Sequence, residues 1–504
     1  MRDSRHFVVA TPIDAVEFND CYRNYTGSAG YLVCNNIYNR VVLNEWYNPV
    51  AFPDLATHWE ILDGAARYRF HLNQAARWHD GTPVTSHDVA YTHGEAIAKG
   101  YEAGRFLSSV ARVAEVNRHT VDYWLSEPNA GFLTQLGNFI FTHVLPAHLY
   151  EGTDWATNPH NLKPIGSGPF RFVEWAPGER IELEAVKDHW GARPEIDRIT
   201  IRVVPDRDEC VAMVCRGEAD CVPQDTLTYD RLDLVRGSEA VVRLDRKPGP
   251  GMALLDFNHA KAPWDDQRVR RAVAAAVDRS KFGPLADPGV AEPWDHYWIK
   301  SVPWAFNAEA KAPGHDPVLA NRLLDEAGLA RSPDGTRMTT TVFFMQMFYS
   351  HRVLAREVCA ALARVGIAAQ AVGLSSVEWK SVIGGADADF DLFIVGGGMS
   401  PDPEVTANKY TSGGGPANLG RHRNRVVDQL YQAGRTTLSK AERGEIYRRL
   451  QDVWAHDVEW VPLFWYGTYY PYSKRFFGWS DQLDHSVPWW HWGRVRPVEP
   501  SFYD

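Results

Sequence analysis

The residue types that catalyse reactions are plentiful in this chain, yet none of them stands in a spacing typical of an active site. The 504 residues include 63 Asp and Glu and 19 His. They contain no G-x-S-x-G elbow, no H-E-x-x-H helix, no phosphate-binding loop and no G-x-G-x-x-G after a predicted strand. A glycosidase would need two carboxyl groups about 5–10 Å apart across a sugar site, a distance that spacing along the chain does not fix. We therefore expect a protein that is not an enzyme, with a glycoside-processing enzyme as the remaining catalytic alternative.

The metal-binding residue types form no local motif either. The six cysteines, at positions 21, 34, 210, 215, 221 and 359, include no C-x-x-C pair and have no His at zinc-finger spacing. The histidines are scattered, with His485 and His491 close together in the C-terminal tail. We expect surface or hydrogen-bonded roles for them, and neither a metal site nor a cofactor. Two interpretations of the cysteines remain open, namely disulfides such as Cys21–Cys34, or small buried side chains at Cys221 and Cys359.

Length, composition and charge limit the number of domains and the kinds of partner that the protein can have. With 45% hydrophobic residues the chain can bury a large core, and its length predicts two or three domains. A formal charge of −10 without a polybasic run excludes nucleic acid as an expected partner. No apolar stretch reaches membrane-spanning length, and Phe7–Ala10 is too short for the apolar part of a signal peptide. Because a predicted strand begins a few residues after Met1, we expect the natural export leader to be missing from this sequence.

Hydrophobic periodicity predicts the elements that must position any functional residue. Gly166-Ser-Gly-Pro-Phe170 predicts a turn that leads into a pair of strands with alternating side chains. Residues 59–72 predict a hairpin that turns at Asp63-Gly64. Thr85-Ser-His-Asp88 has the spacing of a capping box and predicts a helix near 86–98. The first part of the chain therefore alternates between sheet and helix.

The same alternation continues to the C-terminal part. Residues 199–222 predict a strand, a short helix and a second strand, and helical spacing recurs at 269–277 and 354–365. Ser439-Lys-Ala-Glu442 predicts a capped helix. The predicted buried face of that helix consists of Ile446, Leu450, Val453 and Trp454. The fold class predicted from these elements is α/β.

A series of ordered motifs spans roughly residues 30–480. They include Leu55-Ala-Thr-His-Trp-Glu60, His79-Asp-Gly-Thr-Pro83, Gly166-Ser-Gly-Pro-Phe170, Gly217-Glu-Ala-Asp220, Phe257-Asn258, Pro263-Trp-Asp-Asp266, Asp278-Arg279, Leu324-Asp-Glu-Ala-Gly328, Asp402-Pro403, Asn418, Arg421 and Pro462-Leu463. This series resembles one family, the extracellular solute-binding proteins of family 5, which are receptors of oligopeptide, dipeptide and related ABC importers. The resemblance implies a two-lobed periplasmic-binding-protein fold of type II, with an additional inserted domain and a ligand cleft between the lobes.

The resemblance also implies a division of the chain. Lobe I would combine residues 1–44, 160–255 and 478–504, with an inserted subdomain at 45–159, and lobe II would comprise residues 256–477. Two crossings near Asp256 and Phe477 would act as the hinge. Closure of the lobes around a solute would then be the signal that the permease recognises.

In peptide-binding relatives an aspartate just before a D-x-x-D-P turn holds the ammonium group of the ligand. Here no acidic residue lies between Asp391 and Asp402, so that position falls on Gly398, on Met399 or on a gap, and Asp402 is the acidic residue available to take the role. Gly396, Gly397 and Gly398 would let a ligand approach the backbone, or would serve only a tight transition from strand to loop.

Other ligand-binding positions follow from the same resemblance. Trp379 stands where relatives place a ligand-facing tryptophan, with a core tryptophan as the alternative. Phe348 and Tyr349 resemble a pocket-lining aromatic site. Tyr22, Asn24 and Tyr25 lie in an N-terminal segment that often faces the cleft of such proteins, with simple loop packing as the alternative.

The resemblance implies a periplasmic or cell-surface receptor, expected to be monomeric, which delivers a small solute to ABC permease subunits. A peptide or peptide-like solute is the first expectation. An oligosaccharide or a sugar–amino-acid conjugate is the second, because the chain has 19 Trp and lacks the usual anchor aspartate. A receptor for metal chelates is a further alternative.

Overall fold

The computed structural model divides the chain into two compact units. Its described residues are 3–18, 29–45, 48–137, 142–223, 226–239, 241–287, 289–385, 388–398, 400–477 and 496–497. The first unit comprises residues 1–246 and 469–504, and the second comprises residues 247–468. Asp256 therefore belongs to the second unit and Phe477 to the first. Their hinge role and the three-part division of the chain stay predictions.

The elements are numbered in chain order. The first segment of unit 1 contains β1 (His6–Thr11), α1 (Ala29–Ile37), β2 (Val42–Glu45), β3 (Asn48–Pro53), β4 (Ala56–Leu62), β5 (Arg67–Leu72), α2 (Ser86–Ala98), α3 (Glu102–Phe106), β6 (Val110–Asn117), β7 (Thr120–Leu125), α4 (Phe132–Leu136), α5 (Ala147–Tyr150), β8 (Phe170–Ala176), β9 (Arg180–Ala185), β10 (Arg198–Val203) and α6 (Arg207–Cys215). The chain passes into unit 2 within β11 (Val242–Phe257).

Unit 2 continues with α7 (Gln267–Ala276), β12 (Glu292–Pro293), α8 (Pro317–Glu326), β13 (Met338–Met345), α9 (Tyr349–Arg364), β14 (Ile367–Leu374), α10 (Ser376–Val382), β15 (Leu392–Gly398), α11 (Ala407–Tyr410), α12 (Arg425–Thr436) and α13 (Lys440–Asp457). The chain returns to unit 1 within β16 (Trp460–Ser473), followed by β17 (Phe476–Phe477) and β18 (Arg496–Pro497). Among the residues described, no helix combines the length and apolar character needed to cross a membrane.

Unit 1 contains two four-stranded sheets, in the orders β1-β10-β9-β8 and β4-β5-β7-β6. The predicted hairpin is confirmed as β4 and β5, in which Trp59 pairs with Phe70. The predicted helix is confirmed as α2, and its capping box is complete because Thr85 and Asp88 bond to each other's backbone amides. The turn before β8 is close-packed, since a Cβ on Gly166 would overlap the carbonyl group of Ile37.

Unit 2 is built on one six-stranded sheet in the order β12-β16-β11-β15-β13-β14. Strands β13, β14 and β15 are parallel to one another, whereas β11 runs antiparallel to β15. Helices α7 and α9 bury the apolar faces that their spacing predicts, including Val269, Val273, Leu354 and Val358. The core of the unit therefore lies between this sheet and its helices.

Two local predictions were wrong in detail. Residues 219–222 form no strand, because only Cys221 makes isolated bridges there, to Val9 and Tyr472. The buried face of helix α13 was predicted only in part, since Leu450 and Trp454 are buried as expected, whereas Ile446 and Val453 are only partly buried. Arg443 and Tyr447 are buried instead, because Arg443 forms a buried ion pair with Asp402 and a hydrogen bond to the Tyr447 hydroxyl.

Five cysteines lie in the described part of the chain, all with free thiols. The thiol of Cys34 donates to the carbonyl oxygen of Phe18 at 2.8 Å. Cys21 lies outside the described residues, so the Cys21–Cys34 pairing stays a prediction. Cys221 is buried and Cys359 is half-buried.

Candidate functional site

The carboxyl ends of the parallel strands of unit 2 bring several predicted ligand-binding residues to one edge of the sheet. The segment Met347–Tyr349 follows β13, the segment 375–379 follows β14, and Gly396–Gly398 end β15. In sheets of this kind ligands bind outside the carboxyl ends of the strands. Two of these segments touch, since Ser376 Oγ lies 3.9 Å from Met347 Sδ. We take this edge as the candidate site.

Strand β15 offers an open backbone edge at this site. It pairs with β11 along its whole length, from Leu392 opposite Phe257 to Gly398 opposite Gly251. It pairs with β13 only as far as Ile394. Beyond that point no strand of the described chain covers this side of β15, and Gly396 is exposed. An extended ligand could therefore add to the sheet here through main-chain hydrogen bonds.

A polar pair that the sequence did not predict stands beside this edge. His351 on α9 and Tyr466 on β16 are hydrogen-bonded, with 2.7 Å between the imidazole Nε2 and the phenolic oxygen. A Cβ placed on Gly396 would lie 3.8 Å from the Tyr466 hydroxyl and 4.0 Å from His351 Nε2. The pair is therefore next to the exposed glycine.

Burial sets the charge of this pair. His351 is 2% exposed, and its Nδ1 has no hydrogen-bond partner among the described residues. Burial lowers the pKa of His351 to about 4, because the low-dielectric interior disfavours the charged ring. At neutral pH the site thus offers an uncharged imidazole and a hydroxyl, which suit hydrogen bonds with a neutral polar group.

Apolar side chains form the rim of the edge. Phe348 packs against His351 with 4.8 Å between ring centroids, and Tyr349 is 39% exposed. Val377 at the start of α10 is largely exposed, as is Met347. These groups are accessible to a solute at the carboxyl ends of β13 and β14.

Trp379 lies beneath this rim rather than on it. It is 8% exposed and makes an edge-to-face contact with Phe393 at 5.8 Å. Leu374, Ile383 and Phe390 complete the same small hydrophobic cluster. The packing favours the core interpretation of Trp379, and its contact with a ligand stays a prediction.

Asp402 is engaged inside the unit. Its two carboxylate oxygens accept hydrogen bonds from Arg443, each at 2.8 Å, and one oxygen also accepts from the Glu404 amide. Asp402 is only 2% exposed. This arrangement favours a structural role, and its use as an ammonium anchor stays a prediction.

The remaining predicted positions divide into two groups. Gly397 is buried within β15, whereas Gly398 is the last residue of the strand. Tyr22, Asn24, Tyr25 and Met399 lie outside the described residues. His351 and Tyr466 were missed because they are 115 residues apart and neither belongs to a motif. The only local signals were the position of His351 close to Tyr349 and the position of Tyr466 within the aromatic run of β16.

Nine of the 14 tryptophans in the described part of the chain are buried. Six of them are among the largest fully buried side chains, namely Trp78, Trp264, Trp298, Trp454, Trp460 and Trp465. High tryptophan content is therefore a weak argument for a stacking cleft in this chain.

Comparison with known proteins gives a consistent result. The family profile described as "Bacterial extracellular solute-binding proteins, family 5 Middle" matches residues 51–418. Heme-binding protein A of Haemophilus influenzae is 26% identical over 470 residues, which cover 88% of this chain and 84% of that protein. Dipeptide-binding protein of Escherichia coli is 26% identical over 450 residues, covering 84% of this chain and 82% of that protein.

Among solved structures, the ABC transporter substrate-binding protein CtaP of Listeria monocytogenes aligns with a TM-score of 0.83. The alignment covers 98% of this chain and 99% of that protein, at 21% sequence identity. At this identity the likeness concerns the fold.

Proposed function

We propose that this chain, which belongs to the bacterial extracellular solute-binding proteins of family 5, captures a peptide or peptide-like solute for an ABC importer. Family membership carries the general role, which is to bind a small solute outside the cytoplasm and deliver it to the permease. The relatives are solute-binding proteins and not enzymes. The peptide class, a periplasmic or cell-surface location and a monomeric state belong to the proposal.

The observation that carries the peptide class is the open edge of β15. A peptide in extended conformation presents the alternating N–H and C=O groups that an uncovered strand edge needs. Gly396 has no side chain to hold such a backbone away, and it is exposed. A peptide would therefore continue the sheet on the side where β13 has ended.

The polar groups at the edge specify what kind of peptide fits. His351 and Tyr466 are hydrogen-bonding groups without charge, and the nearby Asp402 is held by Arg443. A free ammonium group would find no counter-charge in this pair. We therefore infer a ligand whose backbone or blocked terminus is recognised here, such as a modified peptide.

A second solute class is favoured by the exposed aromatic rim. Tyr349 and Phe348 stand at the carboxyl end of β13 and could stack on a sugar ring. An oligosaccharide or sugar–amino-acid conjugate is thus the alternative ligand. It would depend on the rim more than on the strand edge, which lets one experiment separate the two classes.

The test begins with native mass spectrometry of protein purified with its ligand, followed by a thermal-shift screen, because a bound ligand raises the melting temperature by mass action. Gly396→Val should reduce affinity for a peptide at least tenfold, since the new side chain stands between the ligand and the backbone. Valine is a favourable strand residue, and a Cβ at this position meets nothing closer than 3.8 Å, so the fold should persist.

Gly314→Val is the matched control, because Gly314 is an exposed glycine of unit 2 at which a Cβ meets nothing within 4 Å. It should bind like the wild type. Unchanged affinity of Gly396→Val, with loss of binding in Tyr349→Ala, would reject the peptide class and support the sugar class. Recovery of the ligand in chemically altered form would instead contradict the receptor role.

A further inference from the structure

Three potential metal ligands from distant parts of the chain meet inside unit 2. Asp256 lies at the end of β11, His259 follows it, and His422 precedes α12. One ligand atom from each residue lies within 4.8 Å of the others. Asp256 is 4% exposed and His422 is 1% exposed, and the side chain of His259 is 8% exposed. This group differs from an acidic surface cluster in its two imidazoles and in its burial.

Glu459 accepts a hydrogen bond from one nitrogen of each imidazole. The backbone carbonyl oxygen of Glu459 accepts from His259 Nε2 at 2.8 Å, and the carboxylate of Glu459 accepts from His422 Nδ1 at 3.1 Å. Asn424 donates to the other carboxylate oxygen of Glu459 at 2.7 Å. Metal-binding histidines are typically oriented in this way, by a carbonyl or a carboxylate on the nitrogen that does not coordinate.

The second nitrogen of His422 is hydrogen-bonded within the cluster itself. His422 Nε2 lies 3.2 Å from a carboxylate oxygen of Asp256. His259 Nδ1 is the nitrogen not used by the Glu459 carbonyl group, and the two imidazole centroids are 4.4 Å apart. The inner atoms are therefore two imidazole nitrogens and one carboxylate.

Gly420 keeps the space against these atoms open. A Cβ at this position would come within 2.6 Å of His422 Nε2 and within 2.8 and 2.9 Å of the two Asp256 oxygens. A Zn²⁺ ion bonds to nitrogen and oxygen at about 2.0–2.2 Å, so a small inward movement of the side chains suffices to enclose it. A side chain at position 420 would thus crowd the three donor atoms.

We propose that Asp256, His259 and His422 bind a divalent transition-metal ion of the zinc type, with Glu459 orienting both histidines. Two imidazoles and one carboxylate are a donor set that suits Zn²⁺. The ion takes the place of the hydrogen shared between His422 Nε2 and Asp256. It ties the end of β11 to the segment before α12, and it lies apart from the β15 edge proposed for the solute.

The test uses the tag-free full chain, stripped with EDTA and dialysed. Isothermal titration with ZnCl2 should give one ion per chain, confirmed by elemental analysis, and the melting temperature should rise on loading. Co²⁺ should give the intense visible absorption of a tetrahedral site. His259→Gln and Gly420→Ala should each weaken Zn²⁺ binding at least a hundredfold, the first by removing a ligand and the second by filling the space.

The control for adventitious binding is His58→Ala/His71→Ala, which removes a stacked pair of imidazoles from the β4–β5 hairpin of unit 1 at 4.3 Å centroid distance. It should retain the single Zn²⁺ site. If His259→Gln fails to fold, the stoichiometry and Co²⁺ spectrum of the wild type still decide. A wild-type chain that binds no Zn²⁺, gives only an octahedral Co²⁺ spectrum, or loses its ion in the hairpin control would overturn the proposal.

Discussion

The guanidinium group of Arg443 and the carboxylate of Asp402 form a bidentate ion pair inside unit 2, with two N–O distances of 2.8 Å. Both side chains are almost completely buried. Arg443 also donates to the carbonyl oxygen of Gly434 and to the Tyr447 hydroxyl, so the pair joins α12 and α13 to the segment after β15. It therefore supports the part of the chain that follows the candidate site.

Removal of the arginine should destabilise the protein strongly. Arg443→Met leaves the Asp402 carboxylate buried without a counter-charge, which costs about 3–5 kcal/mol in the free energy of unfolding. Urea-induced unfolding followed by tryptophan fluorescence measures the change. Arg322→Met is the control, because Arg322 and its partner Glu326 are both exposed and such a pair contributes about 0–1 kcal/mol. Equal effects of the two substitutions would contradict the role of burial.

A methyl group on Gly166 should destabilise unit 1. The Cβ would overlap the Ile37 carbonyl group and would lie 3.1 Å from the His79 ring, so the backbone has to move. We expect Gly166→Ala to lower the free energy of unfolding by about 1–3 kcal/mol. Gly94→Ala should have the opposite sign, because Gly94 is inside α2 and has open space around it, and alanine is favoured over glycine in helices by about 1 kcal/mol. Thermal denaturation of both variants checks the pair of predictions.

His351 should make stability depend on pH. Its pKa of about 4 in the folded protein is below the ordinary value of 6.5, so the unfolded chain binds more protons between these values. The contribution of His351 to the free energy of unfolding is therefore fully present above pH 6.5. It is lost as the pH falls towards 4, and it amounts to about 3 kcal/mol at most. His351→Gln removes this titration. Unfolding free energies of the two proteins, measured from pH 7.5 to 4.5, should converge as the pH falls, and parallel curves would show that His351 does not titrate in this way.

The rim and the cluster beneath it should respond differently to truncation. Tyr349→Ala removes a side chain that is 39% exposed, so it should change stability by less than about 1 kcal/mol while weakening any ligand that stacks there. Trp379→Ala leaves a cavity beside Phe393 and should cost about 3–5 kcal/mol. Comparison of the melting temperature and the ligand affinity of both variants distinguishes a residue that stabilises the fold from one that contacts the ligand. Lost affinity in Trp379→Ala with an unchanged melting temperature would place Trp379 at the ligand.

Local signals predicted most of the scaffold. A capping box marks the start of α2 and a Ser439 cap marks that of α13, and periodicity identified the β4–β5 hairpin and the buried face of α9. The α/β class and the periplasmic-binding-protein fold are confirmed by the family match and by the likeness to CtaP. The capped helices and the hairpin depend on neighbouring residues, which is why the sequence alone predicts them, whereas the periplasmic-binding-protein fold was implied by the family resemblance.

Contacts between distant residues could not be predicted in the same way. Arg443 reaches Asp402 across 41 positions, and His422 reaches Asp256 across 166. The sequence disfavoured a metal site because no short spacing suggested one, yet the fold places two histidines and an aspartate together. The inward face of α13 was predicted only in part for a similar reason, since Arg443 bonds to Asp402 and Tyr447 to Glu404 in a distant part of the chain.

The glycines that end β15 also bear on the behaviour of the protein in solution. An uncovered strand edge can recruit the edge of a second molecule and so begin aggregation. Glycine is a poor strand former, and a run of three weakens the template that a foreign chain would copy. The same short segment can therefore admit a small guest while discouraging self-association.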